Sequence, residues 1–348
     1  MKSKKILAIT LVAMFALGLA GCGSKTQTTQ TTNKNAAFAD TEKKLMDSLA
    51  PLPKASKAYK IAAVEITLAN PFWVTMKEGY LDAAKEYGVT CDVLAASKED
   101  DVNGQLDLLK TAIGKDYDAV AISAITPYNL IPGVAEATKK KMPVIAVGTS
   151  VDAVKAKEAN AKVNAFITSS FEDQGKIDAE FVIGKIKSGK VAIITGLSGA
   201  AQGEARKTGA QKAFEANKDI KLVSVQAGDW DRKKAYDIAT NLIQANPDLK
   251  GIVCGNDDMA LGVVDALKAA NKKSQVIVAG VDSIDEAKKS IANGELDATV
   301  AMSPYLFGKG GLILALKVLE GQEVKSDIYW TPLGLVTKEN VATYDGWK

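Results

Sequence analysis

The sequence predicts an α/β protein made of two doubly wound domains with parallel sheets. Three observations carry that expectation. From Tyr59 onward, short apolar runs alternate with amphipathic stretches of helical length, the pattern of parallel strands joined by crossover helices. Runs such as Val191-Ala192-Ile193-Ile194 are apolar throughout, as in strands covered on both faces. The strand–helix units are also too numerous for one sheet of ordinary width.

Taken in order, a first series of strands is expected at 60–66, 90–95, 119–123 and 144–147. A second series follows at 190–195, 221–226, 251–254, 275–279 and 298–301. Helical patterns separate them at 71–87, 102–113, 130–140, 173–187, 203–216, 232–245, 259–270, 284–293 and 304–320. The changeover between the two series falls near 164–170. The run Gly308-Lys309-Gly310-Gly311 lies inside a helical pattern and lacks the third glycine of a dinucleotide fingerprint, so no such site is read there.

Ahead of the first strand the chain has a different character. Lys2, Lys4 and Lys5 precede an apolar stretch, 6–20, that is short for a membrane span and has the length of a secretory h-region. It ends in Leu19-Ala20-Gly21-Cys22, which resembles the lipobox of bacterial lipoproteins. Residues 1–21 are therefore expected to be a signal peptide, and Cys22 the lipid-bearing first residue of the mature chain. Residues 22–57 follow as lipidated Cys and flexible tether. The stretch 23–36, rich in Thr, Gln and Asn, cannot bury apolar area and spans roughly 20 Å as a random chain. Residues 37–56 read as a short helix with Pro51 and Pro53 as breakers. This leader places the rest of the chain outside the cytoplasm, anchored to a membrane.

Composition narrows the function further. Hydrophobic content of 47% and charged content of 24% suit a globular body. A net charge of +3, with the signs interspersed, does not argue for nucleic acid. With 0 His, imidazole-based acid–base catalysis and His metal sites are excluded. Of 3 Cys, Cys22 is assigned to lipid; Cys91 and Cys254 fall in strands of different domains and are expected to be buried thiols. Neither a cofactor nor a metal is expected.

In doubly wound sheets, ligands bind beyond the carboxyl ends of the strands. The residues after each expected strand are thus the candidates. Asn70-Pro71-Phe72-Trp73 follows the first, Ser123 closes the third, and Gly148-Thr149-Ser150 follows the fourth. In the second series come 199–206, then Asp229-Trp230-Asp231, Asn256-Asp257-Asp258 and Asp282-Ser283. Asn70, Asn256 and Asp282 each read equally as helix caps. Two adjacent aromatics at a helix mouth are not explained by capping, because successive helical positions point in different directions. Together the strand ends offer amide, carboxylate, guanidinium and indole groups. The first three hydrogen-bond hydroxyls, and indole faces cover the C–H face of a sugar ring. The candidate ligand-binding residues are Asn70, Phe72, Trp73, Ser123, Arg206, Trp230, Asn256 and Asp282.

These segments resemble the ribose/allose/galactose group of type I periplasmic sugar-binding proteins, in lipoprotein form and nearest the allose-binding members. The resemblance runs from Tyr59 to the end. It rests on the order and spacing of Asn70-Pro71-Phe72-Trp73-Val74, Gly203-Glu204-Ala205-Arg206, Asp229-Trp230-Asp231-Arg232, Asn256 to Gly262 and Gly280-Val281-Asp282. It implies two lobes joined by a three-segment hinge, with the N-terminal lobe at 58–167 plus 303–331 and the C-terminal lobe at 168–302 plus 332–348. It implies that Asn70, Asn256 and Asp282 hydrogen-bond a sugar, that Phe72, Trp73 and Trp230 sandwich it, and that Arg206 contacts it. The ribose branch uses instead an Arg two positions later, which is Thr208 here. Other departures are Gly148-Thr149 where relatives carry Asp-Arg or Asp-Glu, Met302 in place of a Gln, and Ser123 in place of an Asn. Fewer charged hydroxyl partners imply a less evenly hydroxylated ligand, such as a deoxysugar, a polyol or a furanose-like molecule.

The implied partners are a sugar-like ligand and an ABC permease with its ATPase, with the lipid anchor at the membrane and the protein itself a monomer. The competing reading on the same fold is a receptor for an autoinducer-2-like signal, or a ligand presenter for a chemoreceptor. An enzyme is not expected, because the paired carboxylates Asp229/Asp231 and Asp257/Asp258 are local and lack a nucleophile elbow or phosphate loop.

Overall fold

A computed structural model describes residues 36–325 and 328–347. The leader, Cys22 and the first part of the tether lie outside the described residues. In chain order the elements begin α1 (Ala36–Leu49), β1 (Lys60–Thr67), α2 (Pro71–Tyr87), β2 (Thr90–Ala96), α3 (Val102–Ile113), β3 (Ala119–Ile122), α4 (Ile131–Lys139), β4 (Val144–Val147), α5 (Ala153–Glu158) and β5 (Ala165–Thr168). They continue α6 (Phe171–Ile186), β6 (Gly189–Thr195), α7 (Ala201–Glu215), β7 (Ile220–Ala227), α8 (Arg232–Ala245), β8 (Leu249–Cys254), α9 (Asp257–Ala269), β9 (Ile277–Val281), α10 (Asp285–Ala292) and β10 (Ala298–Ala301). The chain ends with α11 (Pro304–Leu319), β11 (Ile328–Trp330) and β12 (Gly334–Thr337).

The strands form two six-stranded sheets, ordered β2-β1-β3-β4-β5-β11 and β7-β6-β8-β9-β10-β12. All pairings are parallel except β10 with β12. The α/β architecture is thus the one expected, with an antiparallel edge strand added to the second sheet. Each sheet is covered on both faces, which is why its strands are apolar at successive positions. In β1, Ile61 and Ala63 pack into one cluster while Ala62 and Val64 pack into another. In β6, Val191 and Ile193 face away from Ala192 and Ile194 in the same way.

Three short strands escape the sequence pattern: β5, β11 and β12 have only three or four residues each. Unlike β3, β4 and β10, which are not longer, they flank the passages between the sheets, where the strand–helix alternation breaks off. The strand expected at 275–279 sits two residues later, because Lys273–Gln275 forms a 3₁₀ turn. The short helix expected within 37–56 is α1, which docks on α11 through Leu45 and Leu49, both buried. Phe38 meets the Tyr305 ring edge-on at 5.7 Å. Lys309 ties this layer together through Glu42 at 3.0 Å and Glu86 at 2.8 Å. Lys317 donates to the Leu49 and Pro51 carbonyls, capping the helix end. Cys91 and Cys254 are buried free thiols in β2 and β8.

The chain passes between the sheets three times: from β5 into α6, from β10 into α11, and from β11 into β12. Because α11 returns to the first sheet, its glycines become packing surfaces. A Cβ on Gly308 would lie 2.1 Å from the Met76 carbonyl oxygen, and one on Gly79 would lie 2.0 Å from that of Tyr305. The glycine run that resembles a nucleotide loop is therefore the seam between α2 and α11. Gly308→Ala should lower the thermal midpoint by several degrees, reflecting about 1–3 kcal/mol of overpacking. An unchanged melting curve would show that the seam has slack.

Candidate functional site

Both sheets have the strand order in which ligands sit at the switch point, here between β1 and β3 and between β6 and β8. A small cavity lies there, lined from both sheets' ends. From the first come Asn70, Phe72, Trp73, Glu99, Gly148, Thr149 and Phe307; from the second come Gln202, Arg206, Trp230, Asn256 and Asp282. Phe171 adds a ring from the first crossing. Seven of the eight residues singled out from the sequence share this one cavity.

The two asparagines need not choose between capping and binding. Asn70 Oδ1 accepts from the Phe72 N–H at 2.9 Å, opening α2. Asn256 Oδ1 accepts from the Met259 N–H at 3.0 Å, opening α9. In each case the oxygen caps the helix; the Asn70 NH₂ meets Glu99 at 3.4 Å in the cavity wall, and the Asn256 NH₂ is left to serve the cavity. Pro71 at the first helical turn then swings Phe72 and Trp73 over the cleft. Their rings meet edge to face at 5.1 Å, and Phe72 also meets Phe307 at 6.2 Å.

Trp230 is aimed by backbone and held by glycine. Asp229 and Trp230 both adopt positive φ, 53° and 65°, an uncommon conformation for residues with side chains. The indole then lies where a Cβ on Gly196 would be, 1.9 Å from its Cη2. Asp282 also sits at positive φ, 114°. Its turn is fixed from beneath by Asp257, whose carboxylate accepts from Thr299 Oγ1 at 2.7 Å and from the Ile284 N–H at 2.9 Å.

Arg206 is the hub of the second wall. Nε donates to Gln174 Oε1 at 2.6 Å, Nη1 to the Gly255 carbonyl at 2.7 Å, and Nη2 to Asp282 Oδ1 at 3.4 Å. The guanidinium lies 5.6 Å from the Phe171 ring and 5.9 Å from that of Trp230. Two of its five N–H groups remain for a ligand. Gln174 in turn donates to Ser169 Oγ at 2.7 Å, linking the site to the first crossing. Burial pushes the Asp282 carboxyl up to about 7 despite the Arg206 charge beside it. Burial likewise pushes Glu99 up to about 7, against the hydrogen bond from Asn70.

Ser123 is a correction to the sequence reading. It is buried but does not line the cavity; its hydroxyl donates to the Val147 carbonyl at 2.7 Å and its own carbonyl accepts from Gln105. Gly148 and Thr149 do line the cavity but bring no charge, and the Thr149 hydroxyl donates to the Ala124 carbonyl at 2.8 Å. The residues that the sequence reading missed are Glu99, Gln202, Phe171 and Phe307. Glu99 follows β2, a strand end that carried no motif. Phe171 and Phe307 follow crossings that only the topology reveals. The Gln202 side-chain oxygen is buried at the cavity with no hydrogen-bond partner.

These features define a ligand-binding cleft of the type I periplasmic binding proteins. Residues 61–323 match the periplasmic binding protein domain family, and the chain belongs to it. The D-allose-binding periplasmic protein of Escherichia coli is 43% identical over 259 residues, covering 74% of this chain and 83% of its own. A ribose import binding protein of Haemophilus influenzae is 31% identical over 281 residues, covering 80% of this chain and 92% of its own. Among solved structures, a periplasmic solute-binding protein of Actinobacillus succinogenes with bound D-allose superposes with a TM-score of 0.78 at 31% identity. That match covers 82% of this chain and 100% of the other. These relatives are transport binding proteins, not enzymes.

Because Gly196 makes room for the indole, Gly196→Ala should displace Trp230. We expect ligand affinity to fall at least tenfold, measured by calorimetry, while the circular dichroism spectrum stays that of wild type.

Proposed function

We propose that the protein is the extracytoplasmic, lipid-anchored binding component of an ABC importer and captures a monosaccharide or related polyhydroxylated ligand between its two lobes. The observation that carries this reading is the cavity itself: indole and phenyl faces beside amide, carboxylate and guanidinium groups, contributed from both sheets. Apolar faces suit the C–H side of a sugar ring, and the polar groups suit its hydroxyls. The allose and ribose named for two relatives support the class of ligand. The lobes are 58–167 plus 303–331 and 168–302 plus 332–348, and they close by rotation about the three crossings. A ligand touching both walls favours the closed form, because only there does it make all its contacts. Asn70, Phe72 and Trp73 hold it from one lobe, and Arg206, Trp230, Asn256 and Asp282 from the other. The closed monomer then docks on the permease, near which the lipid on Cys22 keeps it. Loss of hydroxyl partners at Gly148, Thr149 and Met302 favours a ligand with fewer or differently placed hydroxyls than ribose.

A thermal-shift panel of D-allose, D-ribose, deoxysugars and polyols tests the ligand class. A ligand at 100 times its Kd adds about 2.7 kcal/mol of stability. Trp230→Ala and Asp282→Ala should each remove the shift; if both retain it, the ligand binds elsewhere. In cells, Cys22→Ser should move the protein from the membrane fraction to the soluble fraction. Retention in the membrane would refute the anchor.

A further inference from the structure

The loop between β2 and α3 places Glu99 in the cavity wall, opposite Asp282 on the turn after β9. The Glu99 carboxylate accepts from Asn70 Nδ2 at 3.4 Å and from the Trp73 side chain. Both donors are neutral. The charged groups that face it are Asp282 and Asp258, across the cleft, and its neighbours Lys98 and Asp100 are exposed. Asp282 faces Arg206 and Asp258, with the buried Asp178 and Asp257 behind it. Arg206 is the one cation among the residues lining the cavity, and three of its N–H groups are committed to Gln174, Gly255 and Asp282. Two carboxyls carried by different sheets therefore face one cavity that holds a single guanidinium, and that guanidinium contacts Asp282.

We propose that Glu99 is a ligand-binding residue of this cleft, and that closure over a neutral ligand takes up one proton at the Glu99 carboxyl, which faces Asp282 across the cavity. The inference rests on the sugar-binding reading above. With the lobes apart, water surrounds each carboxyl and both ionise. Closure removes that water and brings the two charges together, which disfavours double ionisation. A protonated Glu99 still serves a hydroxylated ligand, because a carboxylic acid both donates and accepts.

The sign follows from linkage. Glu99 moves from the ordinary 4.5 to about 7, chiefly by burial. The closed form thus holds more protons than the open form between those values. Its advantage is complete below about 4.5, falls as pH rises, and is gone above about 7.

The test is the Kd for D-allose by calorimetry at pH 5 to 8, in buffers of differing ionisation enthalpy. We expect affinity to weaken at least tenfold from pH 5 to 8, with uptake of up to one proton per ligand near pH 6. Glu99→Gln, fixed in the neutral form, should bind at pH 7.5 as wild type binds at pH 5, with less than threefold variation across the range. Glu99→Ala should bind weakly at every pH. Equal affinity at all pH values, with Glu99→Gln indistinguishable from wild type, overturns the proposal. If D-allose binds at no pH, it is the choice of sugar that fails, separately from the linkage. The linkage is then read from small-angle scattering of the ligand-free protein, which should be more compact at pH 5 than at pH 8 in wild type but not in Glu99→Gln. The absence of that difference would overturn the linkage too.

Discussion

One buried guanidinium organises the second wall of the cleft. An isolated cation out of water is costly unless it is paired and hydrogen-bonded, so Arg206 can exist only where several elements converge on it. Gln174 arrives from α6, the Gly255 carbonyl from the end of β8, and Asp282 from the turn after β9. Removing any one leaves a buried donor unmet. The three elements are thereby locked in register, and two aromatic rings bracket the guanidinium. Through Gln174 and Ser169 the same network reaches the crossing between sheets. The part of the site that reads the ligand is therefore mechanically continuous with a segment that must flex if the lobes move.

The aromatic plates obey a different constraint, which is absence of bulk. Trp230 lies flat because Gly196 has no side chain and because Gly203 and Gly255 lie within contact of the indole. Its positive φ costs conformational energy, of order 1–3 kcal/mol for such a residue, and persists only because the surrounding packing over-determines it. Asp282 is held in the same manner by Asp257 beneath its turn. Strain and glycine thus cluster where the ligand is expected, whereas the glycines of the α2–α11 seam serve packing alone. Glycine marks both the binding floor and the core, so a glycine pattern without topology cannot separate the two.

That ambiguity explains what could be read from the chain and what could not. Long strands and helices were legible because β1 and β6 are apolar on both faces and the helices show the 3.6-residue stripe. Asn70, Trp73, Trp230 and Asn256 were legible because each follows a strand; the two asparagines also read as caps, whereas the aromatics had no capping role to explain them. Ser123 also follows a strand, but its hydroxyl is spent on a backbone carbonyl, and sequence does not report the direction of a side chain at a strand end. Glu99 looked like one charge among many in 98–101. Phe171 and Phe307 sit at segment starts whose neighbours are set by crossings, including strands of three or four residues with no periodicity of their own.

The charge state of the site follows from its buried acids. Asp178 on α6 is fully buried, and neither of its oxygens has a hydrogen-bond partner. Burial, reinforced by Asp257, pushes it well above the usual carboxylate range against the pull of the Arg206 charge. Were it ionised, it would compete with Asp282 for the guanidinium and leave the second wall with excess negative charge. Arg206 meets Asp282 through one long contact of 3.4 Å and keeps N–H groups for the cavity. Where Asp282 is ionised it offsets Arg206, and under the proton uptake proposed above Glu99 adds no charge. A cavity wall that sums to zero rewards hydroxyls and apolar ring faces over full charges, which is the balance a neutral polyhydroxylated ligand needs.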